Sequence, residues 1–291
     1  MRYRPFGPSG KVVSAISLLL RETDAESNPA AWRAATISGL ESGINYFELS
    51  ALSDALPIGV GGALKTLDRQ LVLIGWRISH KGRLPLTGRI LMENIQEGLR
   101  KTGAGYFDTL MLGDHAFNCL NADGRQYLVD LKSAGLCKHI GVVGEGDAVD
   151  RCLNLGAFDI LSTSYNLTSD SQSRRRLRQA VDRDIIVIAT NPVPLDLVRV
   201  NQVPLARKIS HFLGIAPKDP LAGVGTFQFL HTIPDWTPED LCLAYLLTEP
   251  TMATVMIEAD NPRTIADWAA VIDREIPPSV PAQVEMARFA L

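Results

Sequence analysis

Residues 44–54 read INYFELSALSD. The run from Ile44 to Leu49 is short and largely apolar, and the small, polar residues after it read as the loop that follows a strand. A strand apolar on both faces belongs to a parallel sheet, because crossover helices cover that sheet on each side and leave neither face to water. The fold then depends on how often this unit recurs.

Seven further runs of the same kind occur: AISLLL from Ala15, LVLIGW from Leu71, DTLMLG from Asp108, HIGVVG from His139, FDILST from Phe158, IIVIAT from Ile185 and ATVMIE from Ala253. Helix-period segments lie between them, as with Leu91, Ile95, Gly98 and Leu99 at i, i+4, i+7 and i+8. Asn28-Pro29, Thr237-Pro238 and Asn261-Pro262 each set a capping side chain before a proline at the first helical position. Eight βα units over 1–291 predict a single (β/α)8 TIM barrel domain. A β-hairpin from Tyr3 to Ser14, turning at Pro8-Ser9-Gly10, should plug one end. The alternative, an open doubly wound sheet, would want a GxGxxG after its first strand, and none is there. One interval breaks the rhythm: 204–236 is too long for a plain connection and is expected to form a functional or capping excursion on the rim.

Composition agrees with a folded core, at 46% hydrophobic and 21% charged residues. A net charge of −3 gives no broad field for nucleic acid or an anionic membrane. The basic run Arg174, Arg175, Arg176 and Arg178 is interleaved with Leu177, Ala180 and Val181, so it reads as the solvated face of a helix. Cys119, Cys137, Cys152 and Cys242 form no CxxC pair and have no histidine at zinc-ligand spacing, and no metal is expected. The N-terminus lacks an apolar signal core, which makes a cytoplasmic location the default.

Laid end to end, RYRPFGPSGKVVSAISL, SGINYFE, VGGAL, GYFDTLML, HIGV and TPEDLCLAYLLTEP resemble the aldo/keto reductase family in order and over nearly the whole chain. The resemblance implies a (β/α)8 barrel that binds NADPH in extended form at the C-terminal ends of the strands. It also implies carbonyl reduction by an Asp, Tyr, Lys and His tetrad. Matched one position at a time, the tetrad residues are replaced. Glu48 stands at the Asp, Ser53 at the Tyr, Arg77 at the Lys, and Gly113 at the His, with Asp114 and His115 immediately after.

A serine hydroxyl is a far weaker acid than a phenol with its ordinary pKa of about 10. No tyrosine lies between Phe47 and Arg77 to take its place. Glu48 and Arg77 keep opposite charges, so an ion pair can persist there. It is either a structural pair, retained because removing one partner strands a charge, or a working site in which Arg77 grips a carboxylate or phosphate through its planar fork. His115 could act as a general base oriented by Asp114, Glu48 or a carbonyl, or it is a loop histidine.

The cofactor contacts that the resemblance implies are thinned. Val143-Gly144 replaces Ser-Asn after strand five, and Ser162 replaces the Gln or Asn of strand six. Tyr165 stands near the aromatic that stacks on the nicotinamide. NPRTIADW keeps Arg263 for a phosphate but has Asp267-Trp268 where Glu-Asn is usual.

The expectation is a barrel that is not a competent carbonyl reductase. It would be a pseudoenzyme, a binding protein for a small molecule or an unidentified protein partner, or a non-redox acid/base enzyme built on Glu48, Arg77, Asp114 and His115. The alternative is an atypical NADPH-dependent oxidoreductase whose proton comes from His115, Arg77 or water.

Overall fold

The computed structural model describes residues 1–23, 28–65, 67–80, 82, 84–155, 158–198 and 225–289. Eight parallel strands close into a barrel: β3 (Ile16–Arg21), β4 (Tyr46–Ser50), β5 (Leu73–Ile78), β6 (Phe107–Gly113), β7 (Cys137–Val143), β8 (Ile160–Ser164), β9 (Ile186–Thr190) and β10 (Thr254–Glu258), with β10 pairing back onto β3. Each coincides, give or take a residue or two at its ends, with one of the eight apolar runs. Helices lie between strands, among them α1 (Pro29–Glu41), α2 (Ala55–Leu64), α3 (Gly88–Thr102), α4 (Asp114–Asn118), α5 (Ala122–Ser133), α6 (Asp147–Leu155) and α7 (Ser171–Val181). The three Asx/Thr-Pro starts behave as capping rules require. Asn28, Thr237 and Asn261 accept backbone N–H groups of α1, the helix Pro238–Leu247 and the helix Pro262–Ala270. No described helix is long and apolar enough to cross a membrane.

Alternation along each strand divides the side chains between two cores. Leu18, Leu20, Phe47, Leu49, Ile74 and Trp76 face the helix layer, while Leu19, Tyr46, Leu73, Met111, Ile160, Ile188 and Met256 fill the barrel interior. Fully burying each such side chain contributes about 1.5–3 kcal/mol. Trp76 stacks on Phe107 at 5.3 Å and donates its indole N–H to Asn94 Oδ1 at 2.7 Å, so it serves interlayer packing.

The N-terminal hairpin is present: β1 (Tyr3–Pro5) pairs antiparallel with β2 (Val12–Ser14), and Gly10 closes the turn with φ of 74°. It seals the barrel because Phe6, fully buried, packs among Tyr46, His139 and the interior apolar residues. Arg4 fastens it by donating to the carbonyls of Leu247, Glu249 and Met252, and Lys11 reaches the buried Asp108 at 3.0 Å.

Of the 204–236 excursion, residues 204–224 lie outside the described residues. The part from Gly225 to His231 is a 3-10 helix whose Phe227 and Leu230 pack with Leu167, Leu197, Leu241, Val280 and Val284. The arginine-rich segment is helix α7, as expected, but its arginines are not merely solvated. Arg176 makes two hydrogen bonds to Asp150, at 2.8 and 2.6 Å, and Arg174 reaches Glu285 at 3.1 Å.

Candidate active site at the barrel mouth

Strand alternation aims Tyr46 and Glu48 of β4 into the barrel, and the register sets Glu48 beside Gly75 of β5, two residues before Arg77. Glu48 is fully buried. Its Oε1 accepts from Arg77 Nε at 2.5 Å, and its Oε2 accepts from the Tyr46 hydroxyl at 3.2 Å. The Tyr46 hydroxyl also pairs with Thr109 Oγ1 at 2.8 Å. Burial, reinforced by the negative charge of Glu48, holds the Tyr46 phenol well above its ordinary pKa. Arg77 keeps a buried Nη2 with no protein partner.

Above this pair opens a cavity of about 520 Å³, within the size range of small-molecule sites. Arg77, Val143, Gly144, Ser162, Thr190 and Trp268 are among the residues lining it. Ser162 is fully buried, and its hydroxyl is likewise without a partner. The cavity's carboxylates are Glu145, Glu239 and Glu258; its cations are Arg77 and Arg21, the latter 3.2 Å from Glu258. None of the described residues lining the cavity is a tyrosine, lysine or histidine.

The remaining sequence candidates lie elsewhere. Ser53 sits in the turn between β4 and α2, where its hydroxyl donates to Glu22 Oε1 at 2.8 Å and accepts the N–H of Ala55. Glu22, which follows β3 and carries no motif, is 3% exposed. It also accepts the N–H groups of Leu52, Ser53 and Leu56 at 2.6 to 3.0 Å. Its partners are some thirty residues away, so only the folded chain shows that it caps α2.

Gly113 ends β6, and a Cβ built there meets no atom within 4 Å. There is room for a side chain that the chain does not carry. Asp114 and His115 take partners other than Glu48 and Arg77. Asp114 pairs with Arg151 at 2.9 Å, and His115 Nε2 contacts the carbonyl of Gly82 at 2.9 Å. Neither lines the mouth cavity, so the four proposed acid/base residues are not one constellation.

Tyr165 is 2% exposed, among the side chains under the helices, and burial raises its pKa. It lines a separate cavity of about 270 Å³ with Asn166, Arg176 and Leu177 rather than the mouth, so its ring is not presented for stacking there. Arg263 lies at an exposed helix start, 3.9 Å from Asp267, and likewise does not line the mouth; Trp268, further along the same helix, does.

A barrel with its mouth at the strand C-termini and an opposed charge pair on strands two and three defines a class, and the sequence comparison matches it. Residues 40–288 match the model of the aldo/keto reductase family, and the chain belongs to that family. Solved structures share the fold at low identity. The aldo-keto reductase AKR11C1 from Bacillus halodurans in its holo form is 17% identical over 99% of this chain and 96% of its own, with a TM-score of 0.75. An aldo-keto reductase from Klebsiella pneumoniae in complex with NADPH is 16% identical over 98% of this chain and 95% of its own, with a TM-score of 0.68.

Proposed function

We propose that this barrel holds a small oxygen-bearing ligand in its mouth and does not perform tetrad-type carbonyl reduction. The observation that carries this reading is the cavity lining, whose described residues include no phenol, ammonium or imidazole. Reducing a carbonyl requires a proton at the oxygen as hydride reaches the carbon, supplied by a group whose pKa suits the task. Tyr46 is the one phenol bonded to Glu48, but it does not line the mouth and burial keeps its proton tightly held. A guanidinium does not serve as a proton donor at neutral pH, and Arg77 is engaged with Glu48.

The lining also fits an extended dinucleotide poorly. Glu145, Glu239 and Glu258 oppose a chain of phosphates, while Arg21 and Arg77 already face Glu258 and Glu48. Arg263, the phosphate partner that the resemblance implies, is exposed outside the cavity. The Arg77 Nη2 and the Ser162 hydroxyl are buried beside the mouth without a partner, and their desolvation is uncompensated until the side chains turn to a ligand that accepts from them. A single carboxylate or carbonyl oxygen meets that need. Such a site suits a binding protein or a non-redox enzyme using a mouth carboxylate.

The test is calorimetric titration with NADPH and then NADH, alongside a thermal-shift screen of small mono- and dicarboxylates. The expected outcome is no saturable heat from either nucleotide, with a rise in melting temperature from a carboxylate that disappears in Ser162→Ala. NADPH binding at micromolar strength together with NADPH-dependent turnover of any carbonyl would overturn the reading. One observation favours that alternative: the unpartnered Ser162 hydroxyl stands where the family resemblance expects a contact to the nicotinamide amide.

A further inference from the structure

Away from the mouth cavity, the loop after β5 and the helix after β6 bring together three side chains that the sequence keeps far apart. His115 and Cys119 lie four residues apart on one face of α4 and its last turn, and His80 arrives from the end of β5. Their ligating atoms all lie within 4.8 Å of one another. The rings of His80 and His115 are nearly parallel, with centroids 5.8 Å apart, and Cys119 Sγ is 3.8 Å from His115 Nε2.

We propose that His80, His115 and Cys119 form a binding site for a zinc-class divalent cation, held by two imidazoles and a thiolate. Metal–nitrogen bonds of about 2.0–2.1 Å and a metal–sulfur bond of about 2.3 Å around a tetrahedral centre bring neighbouring ligand atoms to about 3.3–3.6 Å. The 3.8 Å between Cys119 and His115 is within a few tenths of an ångström of that spacing, and closing the rest of the triangle asks for side-chain movement within the reach of a χ rotation.

The surroundings point the same way. His80 Nε2 lies 2.9 Å from the Leu84 carbonyl, which orients the ring; an imidazole held in this way offers its other nitrogen to a metal. The Gly82 carbonyl lies 2.9 Å from His115 Nε2 and 3.9 Å from Cys119 Sγ, so an oxygen faces the same point and can supply the fourth position, as can water. Two imidazoles with one thiolate select a borderline-soft cation over magnesium or calcium, which prefer all-oxygen sites. All three groups are at least partly accessible, so a cation can reach them. Binding would clip the β5–α3 loop to the start of the β6–α5 connection. The expectation that no cysteine has a histidine at ligand spacing overlooked His115 and Cys119, which stand at i, i+4, while His80 lies 35 residues before His115 with no motif across the gap.

The full-length protein, stripped with a chelator, is titrated with Zn(II) against a chromophoric competitor and separately with Co(II). The expected result is one equivalent bound, with a raised melting temperature and a thiolate-to-cobalt charge-transfer band in the near ultraviolet. Cys119→Ser should abolish the band, and His80→Gln should weaken binding by about 10-fold or more. The thiols of Cys137 and Cys242 are buried, with pKa pushed up to about 12, and do not compete. Absence of saturable binding, or binding and a band undiminished in both Cys119→Ser and His80→Gln, would overturn the proposal. The wild-type cobalt spectrum tests it even if a variant fails to fold.

Discussion

At the scale of single residues, the Glu48–Arg77 pair has the clearest consequence. Its partners were readable as opposite charges on adjacent strands, but only the structure sets Glu48 at zero exposure with Tyr46 and Arg77 as its partners. Arg77→Met strands a buried carboxylate and should cost about 3–5 kcal/mol. The double variant Glu48→Gln/Arg77→Met should recover a large part of that loss in urea unfolding. Strict additivity of the two single changes would mean that the pair contributes nothing as a pair. Ser53 shows the opposite limit of sequence reading. The resemblance sets it at the family tyrosine position as an expectation, while the contact it makes, sharing Glu22 with the start of α2, depends on a carboxylate that follows β3.

At the scale of elements, two predictions concern α2. Glu22→Ala withdraws the acceptor from three backbone N–H groups of residues 52–56, and the cost should be about 2 kcal/mol, limited because water reaches the turn once it opens. Hydrogen exchange should quicken at Leu52, Ser53 and Leu56 and stay unchanged in the barrel strands; a uniform change would sink this account.

The GVGG segment of α2, which resembles a phosphate loop only superficially, exists for packing. A Cβ at Gly59 would meet the Pro29 carbonyl at 2.4 Å and one at Gly61 the Thr102 carbonyl at 2.5 Å, so α1 and α3 approach α2 through its glycines. Gly59→Ala or Gly61→Ala should each cost about 1–3 kcal/mol. Gly62→Ala, which meets only the flexible Arg33 side chain at 3.3 Å, should be neutral or gain up to about 1 kcal/mol from helix propensity. Thermal unfolding of the three variants compares them directly.

At the scale of the whole molecule, buried titratable groups bound the pH range of stability. Burial pushes Cys137 and Cys242 from 9.0 up to about 12, and burial with a hydrogen bond to Glu285 pushes Tyr245 from 10.0 up to about 12. Raised values favour the neutral thiol or phenol in the fold, so their stabilisation is complete below pH 9.0 and is lost as pH climbs toward 12. Burial lowers His139 below 6.5, so its contribution is present above that value and is lost on acidification. Melting temperature should therefore plateau between these limits and fall on both sides. A curve flat from pH 9 to 12 would contradict the alkaline half.

The sequence by itself determined the barrel, because eight two-sided apolar runs separated by capped helical segments are a local pattern that parallel packing alone satisfies. It also raised, through the family resemblance, the expectation that Glu48, Ser53, Arg77 and Gly113 stand at the tetrad positions. Only the tertiary structure decided which side chains share a space. Asp114 and His115, adjacent to the strand end, take partners other than Glu48 and Arg77; Tyr165 goes under the helices; Glu22 and His80, which carry no motif, gain partners 30 to 39 residues away. Periodicity reports which face of an element is buried, whereas a site is made by elements meeting, and the distances between them are a property of the closed barrel.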